Sequence, residues 1–380
     1  MNSYFKGTGW QQEINSHKHL YIWRYNVNTN TPKENSKSVM ETKMQSWMNT
    51  ARKYGARFQN INIIYKNESF TLQTIEENKT FEIYIPSNLL INIDDIAITN
   101  SAHHIKDDLS IQIDKKEMID EYLDFILSPQ RIDILQSQLH DFINLPQELK
   151  NELMNFSLYY QNINNSRQEL KIKLLYSRLI IYKGQKVILP FIDFGNHNFH
   201  NGHPFHHSED AISIHGMAQK SKEIFTIYSR MNDAFGYMQS YLFVPKVLNI
   251  LSMNFTISTL PDLHISIERD TAHLFTSEGN LMLPSYRIEE NKIILKSLWI
   301  GSLHRPLKPY QSFKKLWEDQ LHRKDTQRVY SIIKGLNIKK LSSILRLAYK
   351  APRSNARKMI IESALQHLTL IGGSFEVIKT

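Results

Sequence analysis

The period of the hydrophobic pattern changes along this chain, and that change limits its fold more than any other feature. Apolar residues alternate at Ile61, Ile63 and Tyr65 and again at Phe81, Ile83 and Ile85, and Pro86 closes the run. A two-residue period is that of half-buried strands. Between residues 114 and 175 the period lengthens. Met118, Tyr122, Phe125 and Ile126 fall on one helical face, and Pro129 and Pro146 punctuate the segment. "KIKLLYSRLIIYKGQKVILPFIDF" then returns to strand chemistry with "KGQ" as a turn, and "EIFTIYS" reads as a further strand. Past Pro245 come short strands such as "LHISIERD" and "KIILKSLWI". From Gln311 helical spacing dominates, at Leu341, Ile344, Leu345 and Ala348, then at Met359, Ile360 and Leu365. There is no fixed-period repeat. The order β, α, β, then β into α predicts an α+β protein whose β module is interrupted by a helical insert.

The 380 residues suffice for two or three domains. Residues 1–44 read as a polar N-terminal extension in which "NVNTNTPKENSKS" is a flexible linker, followed by a short helix, "MQSWMNTARKYG", ended by Gly55. Residues 45–100 form the first half of the β module and 101–172 the insert. Residues 173–245 form the second half, and 246–380 an α-rich, basic C-terminal domain. Cysteine is absent, which excludes disulfides, thiolate zinc sites and cysteine nucleophiles. No apolar run reaches the roughly 18 to 20 residues of a membrane span. The first residues lack the apolar core of a secretory signal, so the expected location is cytoplasmic.

Charge is unevenly spread. The net charge is +9 (46 Lys and Arg against 37 Asp and Glu), yet Gly301–Ile360 alone holds 15 basic and 3 acidic residues, or +12, leaving −3 elsewhere. Two readings follow: an acidic partner, nucleic acid or protein, for the C-terminal helices, or simply a solvated helical face.

The stretch "KVILPFIDFGNHNFHNGHPFHH" carries Asp193 inside an apolar run and then five histidines, at 197, 200, 203, 206 and 207. Gly202 and Pro204 oppose a helix there, and no common zinc spacing is present, so no metal site is expected. A carboxylate in an apolar run needs hydrogen-bond partners or a functional reason.

Several stretches, in order, resemble the SET-domain methyltransferases, in the branch of the Rubisco large-subunit lysine methyltransferase and the actin histidine methyltransferase. "YSRLIIYKGQKVILPFIDFGNHN" is similar to that branch's Ser-Arg pair, short hairpin and P-x-x-D-x-x-N-H motif. "KEIFTIYS" resembles its catalytic-tyrosine strand, "DAFGYMQSYLFVP" its closing helix, and "NESFTLQTIEENKTFEIYIPSNLLI" its early strand pair. The helical insert and the helical C-terminus also fall where that branch has them. The chain departs from the family at its Gly-x-Gly motif, whose place holds Asn67, Glu68, Ser69 and Phe70. Ser229 and Leu242 also stand where the family has glycine. Glycine permits close backbone approach, so these changes imply a divergent enzyme or a SET-like shell with altered chemistry.

The resemblance implies S-adenosylmethionine (SAM) as cofactor and methyl transfer to a lysine or histidine of a protein. It implies Tyr228 as the catalytic residue that orients the nucleophile. Thr80, Phe81, Glu82, Arg178, Asp193, Asn196, His197, Tyr241 and Phe243 are implied around SAM, with Arg178 facing its carboxylate. Two alternatives stay open: a SET-type enzyme acting on a free amino acid or other small molecule, and a catalytically silent module binding an acidic partner.

Overall fold

The computed structural model describes residues 33–66, 68–107, 109–156, 166–199, 201–218, 223–228, 232–260, 263–269, 276–278 and 281–372. The architecture is α+β. A helix, Lys33–Lys53, opens the described chain and buries Met44, Trp47, Met48 and Ala51. The linker expected through residue 44 therefore gives way to helix from residue 33, and its earlier part lies outside the described residues. Polar composition concealed this segment because only its C-terminal half carries the apolar face. Gly55, at φ +96°, ends the turn after the helix.

Two pieces of sheet follow. Ile61–Lys66 and Ser69–Thr74 make an antiparallel hairpin. Thr80–Pro86 is the centre of a second sheet, between Arg57–Gln59 and Ala211–Met217, with His206–His207 at the far edge. Phe81, Ile83 and Ile85 point inward with the alternation expected of a half-buried strand.

Helices Ile113–Ile126, Pro129–Ile143, Gln147–Met154 and Arg167–Tyr176 form the insert. The last includes "KIKLLY", expected as strand. Ser166 accepts a hydrogen bond from the Glu169 N–H at 3.2 Å and caps a helix that runs to Tyr176. Leu170, Lys171, Leu174 and Leu175 are its buried residues, a helical spacing that the adjoining β-rich run masks. Leu179–Tyr182 and Gln185–Ile188 then make the hairpin at "KGQ", where Gly184 has φ +79°.

The C-terminal part begins with sheet. Phe255–Leu260, Leu263–Glu268, Lys292–Lys296 and Ser285–Glu289 form one four-stranded sheet. Helices Thr326–Lys350 and Asn355–Ile371 follow. Among the described residues, no helix is long and apolar enough to cross a membrane.

Candidate active site

Strands Asn196–His197 and Gly202–His203 lie close in sequence and clasp Phe225–Thr226 between them, each pairing parallel to it. Such close passage needs missing side chains. A Cβ on Gly195 would lie 2.7 Å from the Thr226 methyl, and one on Gly202 would lie 2.1 Å from the Asn198 carbonyl oxygen. The clasp carries the chain from Thr226 to Tyr228, directly beside His197. The Tyr228 N–H donates to His197 Nδ1 at 3.2 Å, and the Tyr228 hydroxyl donates to the Gly195 carbonyl at 2.9 Å.

Beside the clasp lies a cleft enclosing about 970 Å³ of space, its mouth included. Arg178, Asp193, Asn196, Tyr228 and Tyr241, all expected at the site, line it together. The Arg178 guanidinium and the Tyr122 hydroxyl both donate to Asp193 Oδ2. Burial pushes the Asp193 carboxyl above its ordinary value, against the attraction of Arg178 and the Tyr122 hydrogen bond. Asp193 Oδ1 and Arg178 Nε are buried and have no protein partner. A buried acceptor and a buried donor without partners are costly. The Asn196 amide donates to Glu223 Oε1 at 2.6 Å. Lys173, in the last turn of the helix Arg167–Tyr176, also lines the cleft, and burial lowers its pKa.

His197 lies behind the cleft, 4% exposed, ringed by Phe199, Tyr228, Tyr237 and Phe243 at centroid distances of 4.4 to 6.1 Å. Phe243 meets this aromatic group rather than the cleft itself. Accepting at Nδ1 places the proton of the neutral ring on Nε2. Burial pulls the His197 pKa down to about 4. An unfolded histidine titrates near 6.5, so the unfolded chain binds the extra proton first. The stability held by neutral His197 is complete above about pH 6.5 and is lost as pH falls toward about 4, at most roughly 3 kcal/mol. His197→Asn is expected to lose less stability than the parent between pH 7 and about 4.5, measured by urea unfolding. An identical acid loss in both proteins would mean that His197 is not the titrating group.

Thr80, Phe81 and Glu82 do not reach the cleft. Their strand sits between two others, Glu82 pairs with Arg57 at 3.3 Å, and the buried Phe81 ring meets His203. Ser69 and Phe70 line the cleft instead. They belong to the segment that stands in place of Gly-x-Gly. The loop is held from the insert, where Arg131 donates to the Glu68 carbonyl at 3.2 Å and lies over the Phe125 ring. Sequence periodicity gave no sign of this reach across 63 residues. Glu68 has φ +61° and Leu242, which caps the helix Ala234–Tyr241, has φ +55°. Left-handed backbone at residues with side chains costs about 1 kcal/mol each. Asn67, Ser229 and His200 lie outside the described residues. Among the described residues no three potential ligands gather to hold a metal. His206 and His215 stack at 4.1 Å.

An α+β body with a strand clasped at the edge of a largely apolar cleft thus defines the molecule. No family model matches the chain. Over 118 residues, 31% of its length, it is 36% identical to an uncharacterized protein of Aquifex aeolicus (strain VF5), matching 97% of that protein, and the chain belongs to one family with it. Among solved structures, the SET domain of LSMT bound to lysine and AdoHcy overlaps 87% of this chain and 89% of its own, at 11% identity and a TM-score of 0.39. The same domain bound to MeLysine and AdoHcy overlaps 87% and 90%, at 12% and 0.42. Rubisco LSMT bound to AdoMet overlaps 87% and 90%, at 11% and 0.40. Overlap this coarse says nothing about chemistry, which is argued below from this chain's own residues.

Proposed function

We propose that the chain is a SAM-dependent N-methyltransferase of SET type acting on a lysine or histidine side chain of a protein. One observation carries the reading. Residues spread from Arg178 to Tyr241, singled out as a set by the resemblance of their motifs to the SET family, meet in one cleft. The unpartnered Asp193 Oδ1 and Arg178 Nε suit a ligand with an ammonium and a carboxylate, the charge pattern of the amino-acid end of SAM. When bound, SAM supplies an electrophilic methyl group on a sulfonium.

This chain's residues would orient the acceptor. A lysine entering an apolar cleft loses its proton more readily, which frees the nitrogen lone pair. With the donor bound, the lone pair would take up the methyl group as the S–C bond broke to a thioether, and the methylated ammonium would shed its proton to solvent. Burial holds the Tyr228 hydroxyl protonated, so it acts as a neutral hydrogen-bonding group and not as a base.

A test begins with ligand binding. SAM or S-adenosylhomocysteine at about 1 mM is expected to raise Tm by about 3 °C if Kd is near 10 µM. Asn196→Ala, which also frees Glu223, is expected to weaken that shift markedly. No shift from either compound would remove the enzymatic reading. A second reading, the silent module, is favoured by one feature: Arg178 and Asn196 already hold protein carboxylates, Asp193 and Glu223. Binding without transfer of a labelled methyl group to any protein or amine would support it.

A further inference from the structure

The helix Thr326–Lys350 presents one narrow stripe to solvent. Arg328, Ser331, Gly335, Lys339, Arg346 and Lys350 are exposed and Ser342 is partly so, while Val329, Ile333, Leu341, Ile344, Leu345 and Ala348 face the core. At 100° per residue the stripe's cations fall within about 40° of one line, over about 33 Å of helix. Small residues separate them, so each stands clear of its neighbours. From Thr326 to Ile361 the chain has nine basic residues and no acidic one.

Local helix energetics explain only Lys350, which lies in the last turn where the helix dipole favours a cation. Cations on a solvated helix are commonly balanced by carboxylates three or four residues away; here Lys339, Arg346 and Lys350 have none at that spacing, and Arg328 has only the N-cap Asp325, which accepts from the Trp317 indole. Arg346 and Lys350 are like charges at four-residue spacing on the helix, which is unfavourable. Arg328 lies in the first turn, where the helix dipole disfavours a cation. Among the described residues, Lys340 on the flank is paired, with Glu152 at 2.7 Å, whereas no ion pair engages the four cations of the stripe. Glu148 and Glu152 border it only near Arg346.

We propose that this stripe is a docking surface for the phosphodiester backbone of a nucleic acid. Protein interfaces centre on buried apolar or aromatic anchors, and the stripe offers only Tyr349, at one end. Cations and short hydroxyls without an apolar centre are what phosphate oxygens require, and they recognise the backbone without reading bases. The surface is distinct from the cleft and independent of the reaction assigned there.

The full chain is titrated into a fluorescein-labelled single-stranded RNA and, separately, a duplex DNA, each about 20 nucleotides or base pairs long, at about 50 mM salt. Anisotropy is expected to report a Kd of about 1–100 µM, with log K falling against log salt at a slope of about −3 for four phosphate contacts. The variant Arg328→Glu/Lys339→Glu/Arg346→Gln is expected to bind at least tenfold more weakly at an unchanged Tm. Glutamate at 328 complements the helix dipole, and glutamine at 346 avoids a charge beside Glu148. Should that variant misfold, Lys339→Gln/Lys350→Gln is expected to show an intermediate loss and a slope nearer −1.5. No binding at about 100 µM protein, or full binding by the variants, would overturn the proposal. Binding of poly-glutamate without binding of either nucleic acid would also overturn it, assigning the stripe to an acidic protein.

Discussion

Tyr228→Phe is expected to leave SAM affinity within about threefold of the parent while slowing methyl transfer about 10- to 1000-fold. The ring does the packing: it lies 5.3 Å from His197 and 5.2 Å from Tyr241, and phenylalanine keeps both contacts. The backbone N–H that binds His197 is untouched. Only the oxygen goes, together with its 2.9 Å bond to the Gly195 carbonyl, which costs about 1 kcal/mol of stability. A loss of that size is checked by Tm and does not account for a large kinetic defect. Binding is followed by calorimetry and transfer by labelled SAM. A variant with full turnover would take Tyr228 out of the reaction. A variant that no longer binds SAM would make the tyrosine part of the cofactor site, and the orienting role would be wrong.

Replacing Asp233 by Asn is expected to destabilise the protein by about 3–5 kcal/mol, because it leaves a buried guanidinium unpaired. Asp233 is fully buried. It caps the helix Ala234–Tyr241 through the Gly236 N–H at 3.0 Å and accepts the Leu251 N–H at 3.1 Å. Arg269 grips both its oxygens, and His367 Nε2 lies 3.3 Å from Oδ2. Burial alone would raise the Asp233 carboxyl, but Arg269 and His367 outweigh it and hold it well below the usual carboxylate range. One carboxylate therefore ties the helix that ends in the cleft-lining Tyr241 to the C-terminal sheet and to the last helix. Urea unfolding at pH 7 measures the loss, and the double variant Asp233→Leu/Arg269→Leu is expected to recover much of it, since removing both charges removes the stranded one. A single variant within about 1 kcal/mol of the parent would show that the joint is held by packing alone.

Much of this was visible in the linear chain. Periodicity alone separates the alternating strand at Phe81, Ile83 and Ile85 from the helical face at Met118, Tyr122 and Ile126, because side-chain direction repeats every two residues in one and every 3.6 in the other. The carboxylate Asp193 inside an apolar run, with Asn196 just after it, drew attention to a segment that lines the cleft. The 36-residue absence of carboxylates was equally plain, since charge needs no folding to be counted.

What the chain order could not supply was contact between distant residues. Nothing local shows that Phe225–Thr226 passes between Asn196–His197 and Gly202–His203, because that passage depends on space left by absent side chains and on closing a loop, not on the propensity of any residue. Asp193 illustrates the same limit. The sequence established that a carboxylate stands in an apolar run and needs partners. Only the tertiary structure chose Tyr122, 71 positions earlier, and Arg178, and left one oxygen over. Thr80, Phe81 and Glu82 lie away from the cleft while Ser69 and Phe70 line it, because the insert grips the turn before Ser69 through Arg131, a contact that no local pattern announces.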